Sequence, residues 1–209
     1  GQQHLAGRHS LSLEPTALQA LNRFCQNEGL TPFVLAMGAW QLLLGRYSQQ
    51  REFTVGVPNA SRNRSDSQEL VGFFVSSQVY KATLDGQQPV RDFLHALRAH
   101  SLATLEHADY PLELLFDQLQ RGSATSLNPL FQVLFNWRTG GGEPAAVEWA
   151  GLNLQFLDAG ESQAKFDLSL DVDFSPQNLQ ATFEYSRDLY TPDTIERMAR
   201  HWQQLLLQL

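Results

Sequence analysis

Two hydrophobic periods alternate along the chain. Leu11 and Leu13 alternate with polar neighbours, the two-residue period of a short strand. Pro15 then opens a stretch where Leu18, Leu21, Phe24 and Cys25 recur at helical spacing, and Gly29 closes it. Thr31-Pro32 supplies a cap and a first-turn residue for a second helix running to about Tyr47. That helix carries Phe33, Val34, Leu35, Met37, Trp40, Leu42, Leu43 and Leu44 on nearly every side. A helix without a polar face belongs inside the fold, so this one is predicted to be central.

Further on, "FTVGVP" reads as a buried strand ending at Pro58, and a polar loop leads to a strand from Gly72 to Lys81. Pro89 begins an amphipathic helix with Val90, Phe93, Leu94 and Leu97 on one stripe. A shorter helix follows "HADYP", carrying Leu112, Leu115, Phe116 and Leu119. "LFQVLFNW" is strand-like and "RTGGGEP" a flexible break. Leu152, Leu154 and Phe156 alternate with polar partners, as do Phe166, Leu168, Leu170, Val172 and Phe174, and then Leu179, Ala181, Phe183 and Tyr185. Period-two patterning means strands with two unlike faces. Pro176-Gln177-Asn178 fits the turn between the last two strands. Thr191-Pro192 caps a final helix with a stripe at Ile195, Met198, Ala199, Trp202, Leu205, Leu206 and Leu209. Together these predict an α/β (α+β) two-layer sandwich, a mixed sheet flanked by helices, in one unit without internal repeats.

Composition narrows the function classes. The 209 residues are 43% hydrophobic and 18% charged, with a formal charge of −7, which gives no footprint for nucleic acid or a lipid surface. Arg62 and Arg64 form a short basic cluster followed at once by acids, the pattern of a solvated loop. The single cysteine excludes an internal disulfide, and its place on an apolar stripe makes Cys25 a small core residue. The start "GQQHLAGRHS" carries no signal-peptide pattern and the longest apolar run, around Phe33 to Leu44, is too short for a membrane span, so a cytoplasmic location is the expectation and the sequons at Asn59 and Asn63 carry no weight.

A search for self-contained chemistry returns little. The six histidines, His4, His9, His95, His100, His107 and His201, form no HExxH and no metal-ligand spacing. GxSxG and the phosphate-binding loop are both missing from the sequence. Asp167, Asp171 and Asp173 alternate on one strand, which a solvated sheet edge explains better than acid–base work.

The order of segments, however, resembles a known family. "LLLGRYSQQ", "VGVP", a loop arginine at Arg62 and "VGFFVSS" follow the L-x-R-Y-S-x-Q, V-G-x-P and V-G-F-F-V-N-T series of nonribosomal peptide synthetase condensation domains. "HADYPLELLFDQL" is similar to that family's H-x-D-x-P-F-E-x-L, and "NPLFQVLFNW", "KFDLSLDV" and "EYSRDLYTPDTIERMARHWQQLL" match its closing elements. The resemblance covers residues 8 to 209. It implies one chloramphenicol acetyltransferase-like lobe, the C-terminal of two, spanning residues 1–209. The family's catalytic HHxxxDG does not occur here; Asp85-Gly86 has no paired histidines before it. The catalytic N-terminal lobe is therefore expected on another part of the parent chain.

On the same resemblance, Ser76 stands where the family has Asn and Ser77 where it has Thr, on a strand lining the substrate tunnel. Against that stands the plain alternative of two small residues packed under a helix. Arg62, His107 and Asp109 correspond to motif residues with structural roles. The resemblance implies amide-bond formation between thioesters carried on phosphopantetheine arms. Upstream and downstream carrier proteins, an adjacent adenylation domain and the missing lobe are the implied partners; the lobe itself is expected to bind no cofactor and no metal. Alone it is expected to be inactive and to self-associate through its uncovered face. A non-catalytic scaffold or docking module is the alternative reading, and a free-standing acyltransferase lacks a general base.

Overall fold

The computed structural model describes residues 5–60, 75–107, 131–140, 147–149, 152–154 and 163–209. In chain order the elements are β1 (Ala6–Ser12), α1 (Pro15–Glu28), α2 (Pro32–Ser48), β2 (Glu52–Ala60), β3 (Val75–Thr83), α3 (Val90–Glu106), β4 (Val133–Thr139), β5 (Val147–Trp149), β6 (Leu152–Leu154), β7 (Leu168–Ser175), β8 (Asn178–Ser186) and α4 (Pro192–Gln208). Six strands form one sheet in the order β1-β8-β7-β4-β2-β3, and β5 pairs with β6 separately. β2, β4 and β7 run parallel at the centre, while β3, β8 and β1 add antiparallel flanks. The mixed two-layer α/β sandwich read from the periodicity is the observed architecture.

Local chemistry sets the helix ends. Thr31 Oγ1 accepts from the Val34 N–H at 3.3 Å and Thr191 Oγ1 from the Thr194 N–H at 3.4 Å, each followed by proline at the first helical position. α1 ends at Gly29 with φ 62°, and the Leu30 N–H returns to the Cys25 carbonyl at 2.8 Å. Glycine enters that left-handed turn without a Cβ penalty. α2 ends on Gln49 at φ 56°, where a side chain is strained.

One row of the sheet explains the core. Register aligns Phe135 with Leu170 and Leu170 with Phe183, and all three are buried. Phe183 meets Trp40 of α2 at 5.7 Å and Trp202 of α4 at 6.2 Å, both edge-on. α2 lies in the middle of the helical layer, touching α1, α3 and α4, with both central glycines and nearly all its apolar residues buried. The centrality predicted from its missing polar face is observed.

Three sequence expectations need correction. β7 is an interior strand between β4 and β8, so Asp171 and Asp173 are not on a solvated edge; alternation fixes a residue's face but not its strand's neighbours. Val90 opens α3 at 43% exposure, and only Phe93, Leu94 and Leu97 of the predicted stripe are buried. Arg138 and Thr139 continue β4 instead of opening a break. The expected strand positions 72–74, the helix at 112–119, and both Arg62 and Asp109 lie outside the described residues.

Candidate functional site

The carboxyl ends of parallel strands are where open α/β sheets leave a crevice for ligands. Here those ends belong to β2, β4 and β7. Beside them, β3 begins: Ser76 pairs with Asn59 and Ser77 with Pro58 across the β2–β3 ladder. Ser77 is half-buried. The structure therefore brings positions 76 and 77 to the carboxyl end of β2.

Helix α3 reaches the same end. Gln78 Nε2 donates to the Thr104 carbonyl at 3.5 Å, and Tyr80 Oη lies 3.2 Å from Ser101 Oγ. Two strand residues advance about 6.6 Å and three helical residues about 4.5 Å, so the two elements run antiparallel nearly in step. One further step puts strand position 76 level with helix position 107. His107 is the exposed residue that terminates α3, its N–H directed to the Leu105 carbonyl.

Below this end lies an aromatic floor. Phe33, in the first turn of α2, is edge-on to Tyr80, Phe135 and Trp137 at 5.9, 5.7 and 5.8 Å. Trp137 in turn stacks on Phe174 at 5.3 Å. Phe33, Trp137 and Phe174 are all half-buried, so the floor reaches the surface. Sequence patterning does not group these three, because they belong to three separate elements. Their shared signal is an aromatic at the first turn of the apolar helix and near the end of two inward strand rows.

The opposite face of the sheet is polar. Asn136 Nδ2 donates to Asp171 Oδ1 at 2.7 Å, Arg8 Nε to Glu184 at 2.9 Å, and Ser10 lies 2.8 Å from Thr182. Gly56 is a close approach: a Cβ there would collide with the Phe131 ring.

Burial governs the shifted groups among the described residues. Burial pushes the Cys25 thiol up to about 11, which keeps it protonated at neutral pH. Burial also raises Tyr80, against the opposing hydrogen bond from Ser101. Tyr190 is raised by burial and then by the nearby Asp167 carboxylate. Among the described residues no three His, Cys, Asp or Glu side chains gather as a metal site, and no helix is long and apolar enough to cross a membrane.

At the carboxyl end of the parallel strands the described side chains thus include half-buried Ser77 and the half-buried rim of the aromatic floor. The condensation-domain family model matches residues 1–209, and the chain belongs to that family. It is 38% identical over 205 residues to one of the linear gramicidin synthase proteins of Brevibacillus parabrevis, covering 98% of this chain and 3% of that protein. It is 36% identical over 189 residues to tyrocidine synthase 3 of the same organism, covering 90% and 3%. Among solved structures, the X-domain from teicoplanin biosynthesis superposes with a TM-score of 0.86 at 20% identity, over 97% of this chain and 46% of that one. A four-domain nonribosomal peptide synthetase bound to AMP and glycine gives 0.83 at 18% identity, over 99% and 17%. The chain thus spans a few per cent of the length of these curated relatives, and the low-identity structures establish the fold.

Proposed function

We propose that residues 1–209 are the C-terminal lobe of a condensation domain that joins carrier-bound aminoacyl or peptidyl thioesters in nonribosomal peptide synthesis. The amine of the downstream thioester attacks the upstream thioester carbonyl. A C–N bond forms, the C–S bond breaks, and the proton lost by the amine ends on the released thiol. What supports this reading is the condensation-family match over residues 1–209, with positions 76 and 77 at the carboxyl end of β2 and an aromatic cluster at the carboxyl ends of β4 and β7. Such a surface contributes by positioning, which can supply several orders of magnitude of effective concentration.

In this reading Ser76 and Ser77 line the tunnel along which the two phosphopantetheine arms meet, while Arg62, His107 and Asp109 shape the loops around it. A serine hydroxyl donates and accepts like an asparagine amide but reaches less far. Proton handling belongs to HHxxxDG on the other lobe. Carrier proteins, the N-terminal lobe and an adenylation domain are the partners, in the cytoplasm. Exposed Leu102, Leu105, Leu189 and Leu207 give the isolated lobe apolar surface for self-association.

The experiment supplies donor and acceptor thioesters on carrier proteins to this chain alone, and to the same chain joined to its N-terminal lobe. Amide is expected only from the joined form. Product from the chain alone refutes the lobe assignment, and none from either form makes the chain a docking module.

A further inference from the structure

A cavity away from the carboxyl end of the sheet occupies the corner where α2 and α3 pass under β3. It measures about 230 Å³ and is lined by Gln41, Lys81, Thr83, Gln88, Phe93, Ala96, Leu97 and His100. The helices are close just above it: a Cβ on Gly38 would lie 2.7 Å from Leu94 Cδ2. Gln41 follows one turn later and is only 1% exposed, yet its Nε2 has no hydrogen-bond partner among the described residues. His100 Nε2, on the facing helix, is also buried without a partner. Neighbouring polar groups are paired, since Gln78 and Tyr80 bond to α3 directly. An unpaired buried amide costs about 1–3 kcal/mol, so two orphans on one cavity point to a ligand that meets them.

The lining states the chemistry of that ligand. The polar groups with hydrogens to give are the Gln41 and Gln88 amides, the His100 imidazole in its Nε2–H form, the Thr83 hydroxyl and the Lys81 ammonium, and no carboxylate among the described residues lines the cavity. Lys81 is held at 3.4 Å by Glu52, but both side chains are exposed and such pairs are weak enough to exchange. Phe93, Ala96 and Leu97 form an apolar wall. We propose that this cavity is a binding site for a small aliphatic carboxylate, its oxygens facing Gln41 Nε2, His100 Nε2 and Lys81 Nζ and its carbons on the α3 wall. The volume is below the roughly 300–1,000 Å³ of drug-sized pockets, which limits the ligand to a short chain. The site is separate from the one proposed for condensation, and its test does not depend on that reading.

Sodium butyrate is the probe, followed through the Gln88 side-chain amide and the α3 backbone amides by ¹H–¹⁵N NMR, with 1-butanol as control. A saturable shift is expected at concentrations on the order of 1–10 mM, in line with a ligand of so few atoms. Gln41→Leu should weaken butyrate about tenfold or more, and Lys81→Met about threefold. Lys81 is exposed, so Lys81→Met keeps the test open should the Gln41→Leu variant not fold. Absence of saturation up to about 50 mM overturns the proposal. So does an equal response to 1-butanol, which marks an apolar void, or undiminished butyrate binding in both variants.

Discussion

Phe183, in the half of the sheet built from β1, β8 and β7, is sealed between Trp40 and Trp202, whereas Gln78, in the half built from β2 and β3, meets its helix through an amide hydrogen bond. The contrast extends beyond these two residues. Leu179, Ala181, Phe183 and Tyr185 of β8, with Leu168, Leu170 and Val172 of β7, form an inward wall of buried apolar residues. In the other half, Gln41, Gln78 and Ser101 place buried polar atoms in a single corner between α2, α3 and β3. Apolar burial contributes about 25 cal/mol per Å², while buried polar atoms return little net stability even when paired. The wall is therefore a main source of stability, while the second half sets buried polar groups beside its own buried Val55, Val57, Tyr80 and Ala82.

The largest expected effect breaks the sealed half. Phe183→Ala should cost about 3–5 kcal/mol, because neither tryptophan can follow the lost ring. Denaturant unfolding measures it, and a cost near that of a surface substitution would show that the wall is not the source of stability. The same half contains Cys25, 3% exposed. Its thiol is raised from 9.0 to about 11, so the folded state holds that proton more tightly than the unfolded chain. The resulting stabilisation is complete below pH 9 and is lost as pH rises towards 11, by roughly 2–3 kcal/mol for a shift of that size. Cys25→Ala should flatten that part of the stability–pH curve; an unchanged slope would assign it to Tyr80 and Tyr190.

How much of this contrast is visible in the sequence depends on the element. The wall is legible because β7 and β8 alternate strictly, and α2 because apolar residues surround it. β5 is not legible: Val147-Glu148-Trp149 is too short to establish a period. The interior place of Asp171 and Asp173 was hidden because alternation does not name a strand's neighbours. Gln41 was the readable clue to the polar corner, one amide on a helix otherwise expected to be buried all round, but nothing local says which side chains it faces. For the candidate site, the motif series marked Ser76 and Ser77, while the aromatic floor needed the tertiary fold to assemble it.

Smaller effects sharpen the comparison. Gln49→Gly should stabilise the chain by roughly 0.5–1 kcal/mol, the relief of a left-handed side chain less the added freedom of unfolded glycine. A loss in thermal unfolding would mean that the Gln49 side chain is held by contacts. Ser77→Ala, at a half-buried position in the polar half, should change stability by no more than about 0.5 kcal/mol. A cost of about 1–3 kcal/mol would instead mark its hydroxyl as the partner of a buried group.

The central claim is the proposal that the carboxyl end of the parallel strands holds substrates and that residues 76 and 77 serve the tunnel more than the core. The most direct measurement is amide formation by the two-lobed parent domain carrying Ser76→Phe, beside Ser76→Ala and thermal unfolding of both. The phenylalanine variant should stay folded and lose turnover, and the alanine variant should unfold at nearly the wild-type temperature. A destabilised alanine variant together with a fully active phenylalanine variant would contradict the claim and make this end of β3 part of the core.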